Sequence, residues 1–511
     1  MSVPINKTSQ TKTLHVRVAV IGSGFSGLGT AIRLKESGEN DFVVLEKESG
    51  LGGTWQVNHY PGCACDVPSH LYSFSFEKSP YWNRMYASQP EILAYLEHCA
   101  DKYGVRPHIQ FDSEVTQATY DEANTRWHIE TADGRSVYAQ VVVSGIGGLS
   151  RPAWPDAPGL ENFKGKTFHS QQWDHDYDLK GKRVAVIGTG ASAIQFVPQI
   201  AKDVDQLHLF QRTAPWVLPK PDWKLVKPVQ SVMAKMPQTM TALRGIIYAA
   251  QESQAVAFTI NPSLLKAGQF LGKRHIQLRI KDPALRRKVT PNYLLGCKRV
   301  LLSNDYYPAL TRDNVEVLTT GLQEVRANSV IGSDGSEREV DAIIFGTGFA
   351  ATDPVGPLKI TGRDGLDLKQ EFQRTGTEAY LGTTVAGFPN LFLVMGPNTG
   401  LGHNSMVYMI ESQINYILKA LQTMQQRRLQ SIEVRESVQN GYNAMLQSKQ
   451  DDTVWATGGC KSWYLDETGK NVTLWPGFTW QFRRLTNQFR ALDYQIKRNP
   501  IPRKTITRAA A

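Results

Sequence analysis

Near the start of the chain, apolar and polar positions follow the order strand, glycine turn, helix, strand. The apolar run Arg17–Ile21 leads into a loop that contains Gly22, Gly24 and Gly27. A helical pattern follows over Leu28–Ser37, and a second apolar run, Phe42–Leu45, ends at Glu46. This order predicts a parallel β-α-β unit in which the glycine loop lies at the N-terminus of the helix.

The same order of elements recurs in the middle of the chain. The apolar run Arg183–Ile187 precedes a second loop, a helical stretch to Ala201 and the strand Gln206–Phe210. The residues of this loop that matter here are Gly188, Thr189, Gly190, Ser192 and Ala193. Ala193 stands where the first loop has its third glycine, a position that serves helix packing more than ligand contact. Both units are therefore expected to bind a dinucleotide, with its pyrophosphate at the helix N-terminus.

The two units differ in the charged residue that follows their second strand. Glu46 lies 24 residues after Gly22, and Arg212 lies 24 residues after Gly188. A carboxylate accepts hydrogen bonds from a free ribose diol, whereas a guanidinium pairs with a 2'-phosphate. The first unit is therefore expected to bind FAD or NAD, and the second unit NADP.

Two dinucleotide sites in one chain suggest that electrons pass from a nicotinamide to a flavin. Two later apolar runs, Val141–Ser144 and Val340–Phe345, also end in glycine, which predicts an NADP domain inserted into a discontinuous FAD domain. The fold class is then α/β, with two Rossmann-like domains and a helical insertion in the NADP domain. The predicted division is an FAD-binding domain over 1–160 and 341–500, an NADP-binding domain over 161–340 with the insertion at about 216–290, and a basic tail over 501–511.

Positive charge is concentrated in one part of the chain. The sequence carries 57 Lys and Arg against 47 Asp and Glu, a net charge of +10. Between Trp216 and Arg299 there are 15 Lys and Arg against 3 Asp and Glu, so the remainder of the chain is slightly acidic. Such an excess is typical of an approach path for an anion, here NADPH. Because no long basic run is interleaved with aromatic residues, we expect no nucleic-acid partner.

The same region raises the question of membrane contact. No stretch of about 18 residues is free of charged and polar groups, so the sequence predicts no transmembrane segment. The apolar stretch Ile246–Phe258 leaves weak contact with a membrane surface open, although a buried helix face is the favoured interpretation.

The five cysteines show no metal-site or redox-motif spacing and fit a reducing, cytoplasmic setting. We expect no metal. Cys63 and Cys65 admit a rival interpretation, the redox pair of an FAD- and NADP-dependent disulfide reductase. Two cysteines with one residue between them form a strained disulfide, which disfavours that class.

Between the two loops lies the segment Phe163-Lys-Gly165-Lys-Thr-Phe-His169-Ser-Gln-Gln-Trp173-Asp174. It resembles the fingerprint of the Baeyer-Villiger monooxygenases at every fixed position. A second pattern of that family is matched by Gly52-Gly53-Thr54-Trp55, Tyr60-Pro61-Gly62 and Asp66. Trp173-Asp174 favours this family over related flavin monooxygenases that oxygenate nitrogen or sulfur, which stay the alternative. His169 is interpreted as a hinge in the interdomain linker rather than as an acid or base.

The resemblance implies an FAD-containing, NADPH-dependent enzyme that inserts one oxygen atom from O2 beside a ketone carbonyl. The product is an ester or lactone, and the route runs through a flavin C4a-peroxide. By motif position Arg299 is the active-site arginine, and Asp66 is the carboxylate that orients it. A permanently charged guanidinium suits this role because negative charge develops on the reacting oxygens.

The resemblance also assigns the cofactor contacts, together with the two loops. Those expected for FAD are Gly22, Gly24, Gly27, Glu46, Gly53, Thr54, Trp55, Asp66, Tyr72, Val115 and Asn398. Those expected for NADP are Gly188, Thr189, Gly190, Ser192, Gln195, Arg212, Thr213, Lys298 and Arg299. The substrates are O2 and a small apolar ketone. The identity of the ketone and the oligomeric state stay open, and the Trp-rich segment 455–480 is interpreted as core packing rather than as a substrate channel.

Overall fold

The computed structural model describes residues 13–498 apart from 351, 352, 354 and 461, so the predicted tail 501–511 lies outside the described residues. The strands are β1 Thr13–Ile21, β2 Phe42–Leu45, β3 Ile109–Gln110, β4 Val115–Asp121, β5 Arg126–Thr131, β6 Ser136–Ser144, β7 Lys166–His169, β8 Arg183–Ile187, β9 Gln206–Phe210, β10 Val217–Leu218, β11 Leu301–Leu302, β12 Val315–Leu318, β13 Leu322–Val325, β14 Ser329–Gly332, β15 Glu337–Glu339, β16 Ala342–Phe345, β17 Lys359–Thr361, β18 Leu391–Leu393, β19 Leu429–Val434 and β20 Tyr494–Arg498. The helices are α1 Phe25–Glu36, α2 Thr54–Val57, α3 Gln89–Lys102, α4 Ala193–Ile200, α5 Lys227–Lys235, α6 Pro237–Ala255, α7 Leu265–Arg279, α8 Pro283–Val289, α9 Tyr306–Leu310, α10 Leu368–Thr375, α11 Met406–Gln426, α12 Glu436–Ser448, α13 Val454–Thr457 and α14 Thr479–Thr486.

The first sheet contains the first glycine loop. Its strand order is β17-β4-β5-β6-β1-β2-β3, and β18 pairs with β6. β1 runs parallel to β2 and β6, with Ile21 opposite Leu45 on one side and Ser144 on the other. Because the carboxyl ends of parallel strands share one sheet edge, Gly22, Glu46 and the segment after β6 meet there.

The second sheet is entirely parallel, in the order β12-β9-β8-β16-β7. Its central strand β8 ends at Ile187, directly before the second glycine loop, and lies opposite Phe210 of β9 and Phe345 of β16. The predicted domain boundary at 340/341 is therefore wrong by a few residues. β16 pairs with β7 and β8 and so belongs to the second sheet, because its apolar side chains fill that core.

The stretch after Trp216 is helical and contains α5 to α8. Its two ends are tied together where β10 pairs with β11, so that Val217 lies opposite Leu301. Lys298 and Arg299 lie directly before β11, so this pairing fixes where the chain returns from the helices. No helix among the described residues is long and apolar enough to cross a membrane.

Candidate active site

The first glycine loop leaves no room for larger residues. A Cβ at Gly27 would lie 1.7 Å from the Gly22 carbonyl oxygen, and Gly22 itself has a φ of +90°. Glu46 is buried beside the loop: its Oε2 accepts hydrogen bonds from the Ser23 amide at 2.7 Å and from the Ser23 hydroxyl at 2.6 Å. The carboxylate is thereby held at the end of β2, where a ribose diol can reach it.

Other segments cover this loop. Gly53 packs against Gly24 so closely that a Cβ on Gly53 would lie 2.8 Å from the Gly24 Cα. Trp55, two residues on, donates from Nε1 to the Tyr72 hydroxyl at 3.2 Å. The Ser113 amide donates to the Glu46 carbonyl at 2.7 Å, which brings the start of β4 at Val115 to the same edge.

Asn398 follows β18, whose last residue Leu393 lies opposite Ser144 at the end of β6. Its side-chain amide donates to the carbonyls of Asn471 and Leu474, while Oδ1 is buried and accepts no hydrogen bond within the described ranges of the chain. A buried acceptor of this kind needs a donor, because leaving it unpaired costs about 1–3 kcal/mol. The glycine cradle, the carboxylate and this free acceptor together fit a flavin dinucleotide.

The second glycine loop is open. Gly190 is exposed, and a Cβ placed on it would meet no atom within 4 Å. Ala193 has room in this loop because its neighbour Gly346 carries no Cβ. A Cβ on Gly346 would lie 3.3 Å from the Ala193 Cβ, which is a tight contact. The Thr189 hydroxyl points to the Thr213 carbonyl at 3.4 Å, which joins the loop to the segment after β9.

Two cations meet beside this open loop. Burial and, after it, the nearby positive charge of Arg212 lower the pKa of the Lys298 ammonium. Lys298 Nζ lies 5.2 Å from the centre of the Tyr293 ring. Neither Arg212 nor Lys298 forms an ion pair within the described part of the chain. Two cations held together without an acid fit a doubly charged ligand such as a 2'-phosphate.

Gln195, predicted to contact NADP, has its side chain engaged elsewhere. Its Nε2 donates to the Ala64 carbonyl at 2.9 Å, and its Oε1 accepts from the Tyr60 hydroxyl at 3.0 Å. It therefore links α4 to the segment that leads to Asp66. Its contact with NADP stays a prediction.

Arg299 and Asp66 are brought together from distant parts of the chain. Both Nε and Nη2 of Arg299 lie 2.7 Å from Asp66 Oδ2. Burial alone would raise the pKa of the Asp66 carboxyl, but the guanidinium outweighs burial and holds that pKa below its usual value. The carboxylate in turn raises the pKa of Arg299. About a third of the Arg299 side chain stays exposed, so the pair faces a cleft rather than a sealed core.

The structure adds two residues that sequence reasoning did not assign to this site. Tyr464 is buried and lies within electrostatic range of Arg299, and its hydroxyl has no hydrogen-bond partner among the residues that the structure describes. Burial raises the pKa of Tyr464 to about 12, so the phenol keeps its proton at neutral pH. Lys220, whose pKa is lowered by burial, also acts electrostatically on Asp66. Neither residue stands in a motif, and the only signal for Tyr464 was its place in the Trp-rich segment.

The interpretation of that Trp-rich segment holds for half of its tryptophans. Trp455 and Trp475 are buried, as expected of core packing, but Trp463 and Trp480 are exposed. Trp463 directly precedes Tyr464, and Trp480 is the second residue of α14. Core packing alone therefore does not account for the segment.

His169 ends β7 and is fully buried. Its Nδ1 accepts from the Gln171 amide at 3.1 Å, and its ring lies near those of Trp154 and Phe349 in the two segments that connect the sheets. Burial lowers the pKa of His169 to about 4, so the ring is neutral. This environment agrees with a place in the linker, and the hinge stays a prediction.

The cysteine pattern indicated a reducing setting, but the structure contains one disulfide that this pattern did not predict. Cys297 and Cys460 form a disulfide across 163 residues, a pairing that no local spacing could reveal. Cys63 and Cys65 are free and buried, and burial raises the pKa of the Cys63 thiol to about 12. Such thiols are poor nucleophiles, which removes the support for a disulfide reductase.

Comparisons with known proteins agree with this geometry. A model of flavin-binding monooxygenase-like proteins matches residues 15–356. A Baeyer-Villiger monooxygenase of Pseudomonas aeruginosa is 57% identical over 95% of this chain and 92% of its own length. One of Streptomyces coelicolor is 51% identical over 97% of this chain and 95% of its own length.

A solved structure of an oxidized steroid monooxygenase bound to NADP superimposes with a TM-score of 0.84. It is 30% identical and covers 95% of this chain and 100% of that one. The flavin-type cradle, the cationic second loop and the Arg299–Asp66 pair therefore occur on a fold shared along nearly the whole chain. The chain belongs to the Baeyer-Villiger monooxygenases, within the flavin-binding monooxygenase-like family.

Proposed function

We propose that this chain is an FAD-containing, NADPH-dependent Baeyer-Villiger monooxygenase. A ketone, O2, NADPH and a proton are converted to an ester or lactone, water and NADP+. One oxygen atom of O2 enters the bond beside the carbonyl, and the other leaves as water. The substrate class is a small apolar ketone, and the consumption of NADPH favours a cytoplasmic location.

The cofactor contacts belong to the same proposal. FAD, once reduced by NADPH, supplies the activation of O2. The residues proposed to hold FAD are Gly22, Gly24, Gly27, Glu46, Gly53, Thr54, Trp55, Asp66, Tyr72, Val115 and Asn398. The residues proposed to hold NADP are Gly188, Thr189, Gly190, Ser192, Gln195, Arg212, Thr213, Lys298 and Arg299.

Arg299 supplies the fixed positive charge that oxygen insertion needs. The carbonyl oxygen of the ketone gains negative charge as its carbon is attacked, and a guanidinium that cannot lose its proton stabilises that charge. Asp66 orients the guanidinium through the two contacts to Oδ2 and so fixes the direction of the remaining N–H groups. Fixed donors cost no reorganisation during the reaction.

Tyr464 is buried and protonated within electrostatic range of Arg299 and Asp66, and its hydroxyl is proposed as a neutral donor at this site. The walls behind it are apolar: Tyr464 packs in one cluster with Trp216, Phe258 and Trp455. Such walls exclude water, which strengthens each polar contact inside. An apolar ketone with a single polar group suits this setting.

The observation that carries the proposal is the Arg299–Asp66 pair itself. Asp66 follows the segment that covers the first loop, and Arg299 follows Lys298 beside the second loop. The pair therefore joins the two dinucleotide units at the point where a substrate can meet both.

The test compares Arg299→Ala and Arg299→Lys with the wild type on a mixed panel of ketones, sulfides and amines. Products are identified by mass after incubation with NADPH and O2. We expect both variants to retain FAD and to lose about 100- to 1,000-fold in ester formation, as for the removal of a key oxyanion donor. Arg374→Ala is a matched control, because Arg374 forms a surface pair with Glu371.

Two results would overturn the proposal. Normal ester yield from Arg299→Ala would remove the arginine from the chemistry. Wild-type enzyme that oxygenates only the sulfides and amines would instead assign the chain to nitrogen or sulfur oxygenation.

A further inference from the structure

The helical insertion presents an unusual amount of apolar surface. Among the described residues, 11 of the 20 exposed large apolar side chains lie between Trp223 and Leu278. That stretch is about a ninth of the chain, so the exposure is concentrated rather than scattered. Concentrated apolar exposure marks an interaction surface, whereas single exposed residues need no explanation.

The clearest part of this surface is the outer face of α7. Five exposed apolar side chains on this face and in the segment before it form what we call the apolar stripe: Ile260, Leu264, Phe270, Leu271 and Leu278. Phe270 is 70% exposed, Leu271 59% and Leu278 63%. Residues 270, 271, 274 and 278 share one helix face, since neighbours on a face are three or four positions apart.

The opposite face of α7 is anchored to the protein. Gly272, His275 and Ile276 are buried there. A Cβ on Gly272 would lie 2.8 Å from the Trp216 ring, and His275 Nδ1 faces the Val217 carbonyl at 3.3 Å. The helix is therefore anchored with its apolar stripe outward, and packing within the described part of the chain does not account for the stripe.

The apolar stripe is bordered by positive charge. Between Ser253 and Lys281 there is no Asp or Glu. The basic residues of this stretch are Lys266, Lys273, Arg274, Arg279 and Lys281. No ion pair involving these five side chains occurs among the described residues. The two nearest acids are occupied: Glu252 is buried and accepts hydrogen bonds from Thr479 and Asn404, and Asp282 caps α8.

We propose that this outer face of α7 docks on an anionic lipid surface. An amphipathic helix with apolar side chains on its outward face and Lys and Arg beside them lies in the membrane interface, where apolar groups enter the acyl boundary and cations meet the headgroups. A second copy of this chain is a poorer occupant, because a symmetric contact would set the same five cations against each other. The docking is shallow, since no described helix is suited to span a bilayer.

This inference goes beyond the proposed function and does not depend on it. The test is co-sedimentation of the full-length, FAD-loaded protein with two kinds of vesicle, phosphatidylcholine alone and phosphatidylcholine with about 30% anionic phosphatidylglycerol. We expect binding to the anionic vesicles, little binding to the neutral ones, and release when salt is raised to about 0.5 M.

Two double variants separate the apolar and the electrostatic contributions. Lys273→Gln with Arg274→Gln is expected to lower the vesicle partition coefficient about 25-fold, because each positive charge near an anionic surface contributes about a fivefold factor. Phe270→Gln with Leu271→Gln is expected to lower it at low salt while leaving its dependence on salt unchanged. All four side chains lie on the exposed half of α7, so FAD content and thermal midpoint should match the wild type.

Matched controls lie on other surfaces. Leu492→Gln removes an apolar side chain that is 85% exposed, and Lys369→Gln removes an exposed cation on α10. Both should bind vesicles like the wild type. The proposal is overturned if the wild type ignores anionic vesicles, or if the α7 variants bind as well as the controls. A concentration-dependent dimer that Phe270→Gln with Leu271→Gln abolishes, without vesicle binding, would assign the stripe to a second copy instead.

Discussion

The two glycine loops start from the same backbone plan and differ in what surrounds them. In both, the first glycine packs against a carbonyl that follows a neighbouring strand: a Cβ on Gly22 would lie 2.9 Å from the Gly145 oxygen, and a Cβ on Gly188 2.5 Å from the Gly346 oxygen. The first loop is then covered by Gly53, whereas Gly190 of the second faces open space.

This difference bears on how each loop is used. A covered loop with a buried acid suits a cofactor that stays bound between turnovers, because release would require the cover to move. An open loop with exposed cations suits a ligand that must enter and leave in each cycle. The same local motif can thus serve a resident or an exchangeable dinucleotide, depending on the neighbouring segments.

The sharpest test of this comparison exchanges the third residue of each loop. In Gly27→Ala the new Cβ would lie 1.7 Å from the Gly22 oxygen, so the loop must shift. We expect this variant to purify without FAD, as measured by absorbance of the flavin relative to the protein. The matched control is Ala193→Gly, which should keep its FAD and lose only about 1 kcal/mol of helix stability. Full flavin content in Gly27→Ala would contradict the comparison.

A second prediction concerns how the open loop is kept in place. The Cys297–Cys460 disulfide anchors the chain directly before Lys298. Cys297→Ser is expected to lower the free energy of unfolding by about 2–4 kcal/mol, since the cross-link spans a long loop. Urea denaturation with and without a thiol reductant measures this. The reductant should destabilise the wild type and leave Cys297→Ser unchanged, and a wild type indifferent to reductant would refute the role of the cross-link.

A third prediction tests the charge at the second loop. Arg212→Ala removes one of the two cations proposed to hold the 2'-phosphate. We expect kcat/KM for NADPH to fall about 10- to 100-fold, or about 1.4–2.7 kcal/mol, as for the loss of a charge-assisted contact. The value for NADH should change little, because NADH has no 2'-phosphate. Equal losses for both donors would show that Arg212 acts on the fold of the loop instead.

The smallest expected effect is a pH dependence of NADP+ binding. In the free protein the pKa of Lys298 lies below its ordinary value of 10.5, owing to burial and Arg212. A bound phosphate raises that pKa again, so binding takes up a proton once the pH exceeds the free value. Affinity should therefore fall a few-fold as the pH rises from neutral toward 10.5. Calorimetry in buffers of different ionisation enthalpy measures the uptake, and Arg212→Ala should shift the fall to higher pH.

The bounds of an element are readable from the sequence where a charged residue, a polar residue or a glycine marks each of its ends. The strand Phe42–Leu45 and the strand Gln206–Phe210 have the predicted bounds, because apolar runs ended by charge or glycine specify short parallel strands. The sequence does not show which of the two sheets a strand joins. β16 reads as another apolar run before a glycine, and only its pairing with β7 and β8 shows which sheet it joins.

The sequence by itself determined the two loops, the opposite charges of Glu46 and Arg212, and the motif that singles out Asp66. Each of these features lies within a short stretch of sequence, so local structure alone places its residues close together. Tertiary structure alone decided that Tyr464 is buried within electrostatic range of Arg299 and Asp66, that Cys297 meets Cys460, and that one loop is covered while the other is open. The contacts of Arg299 with Tyr464 and of Cys297 with Cys460 join residues more than a hundred positions apart, and the cover over the first loop joins Gly24 to Gly53. Such contacts arise from the packing of whole sheets and helices, and no local pattern encodes them.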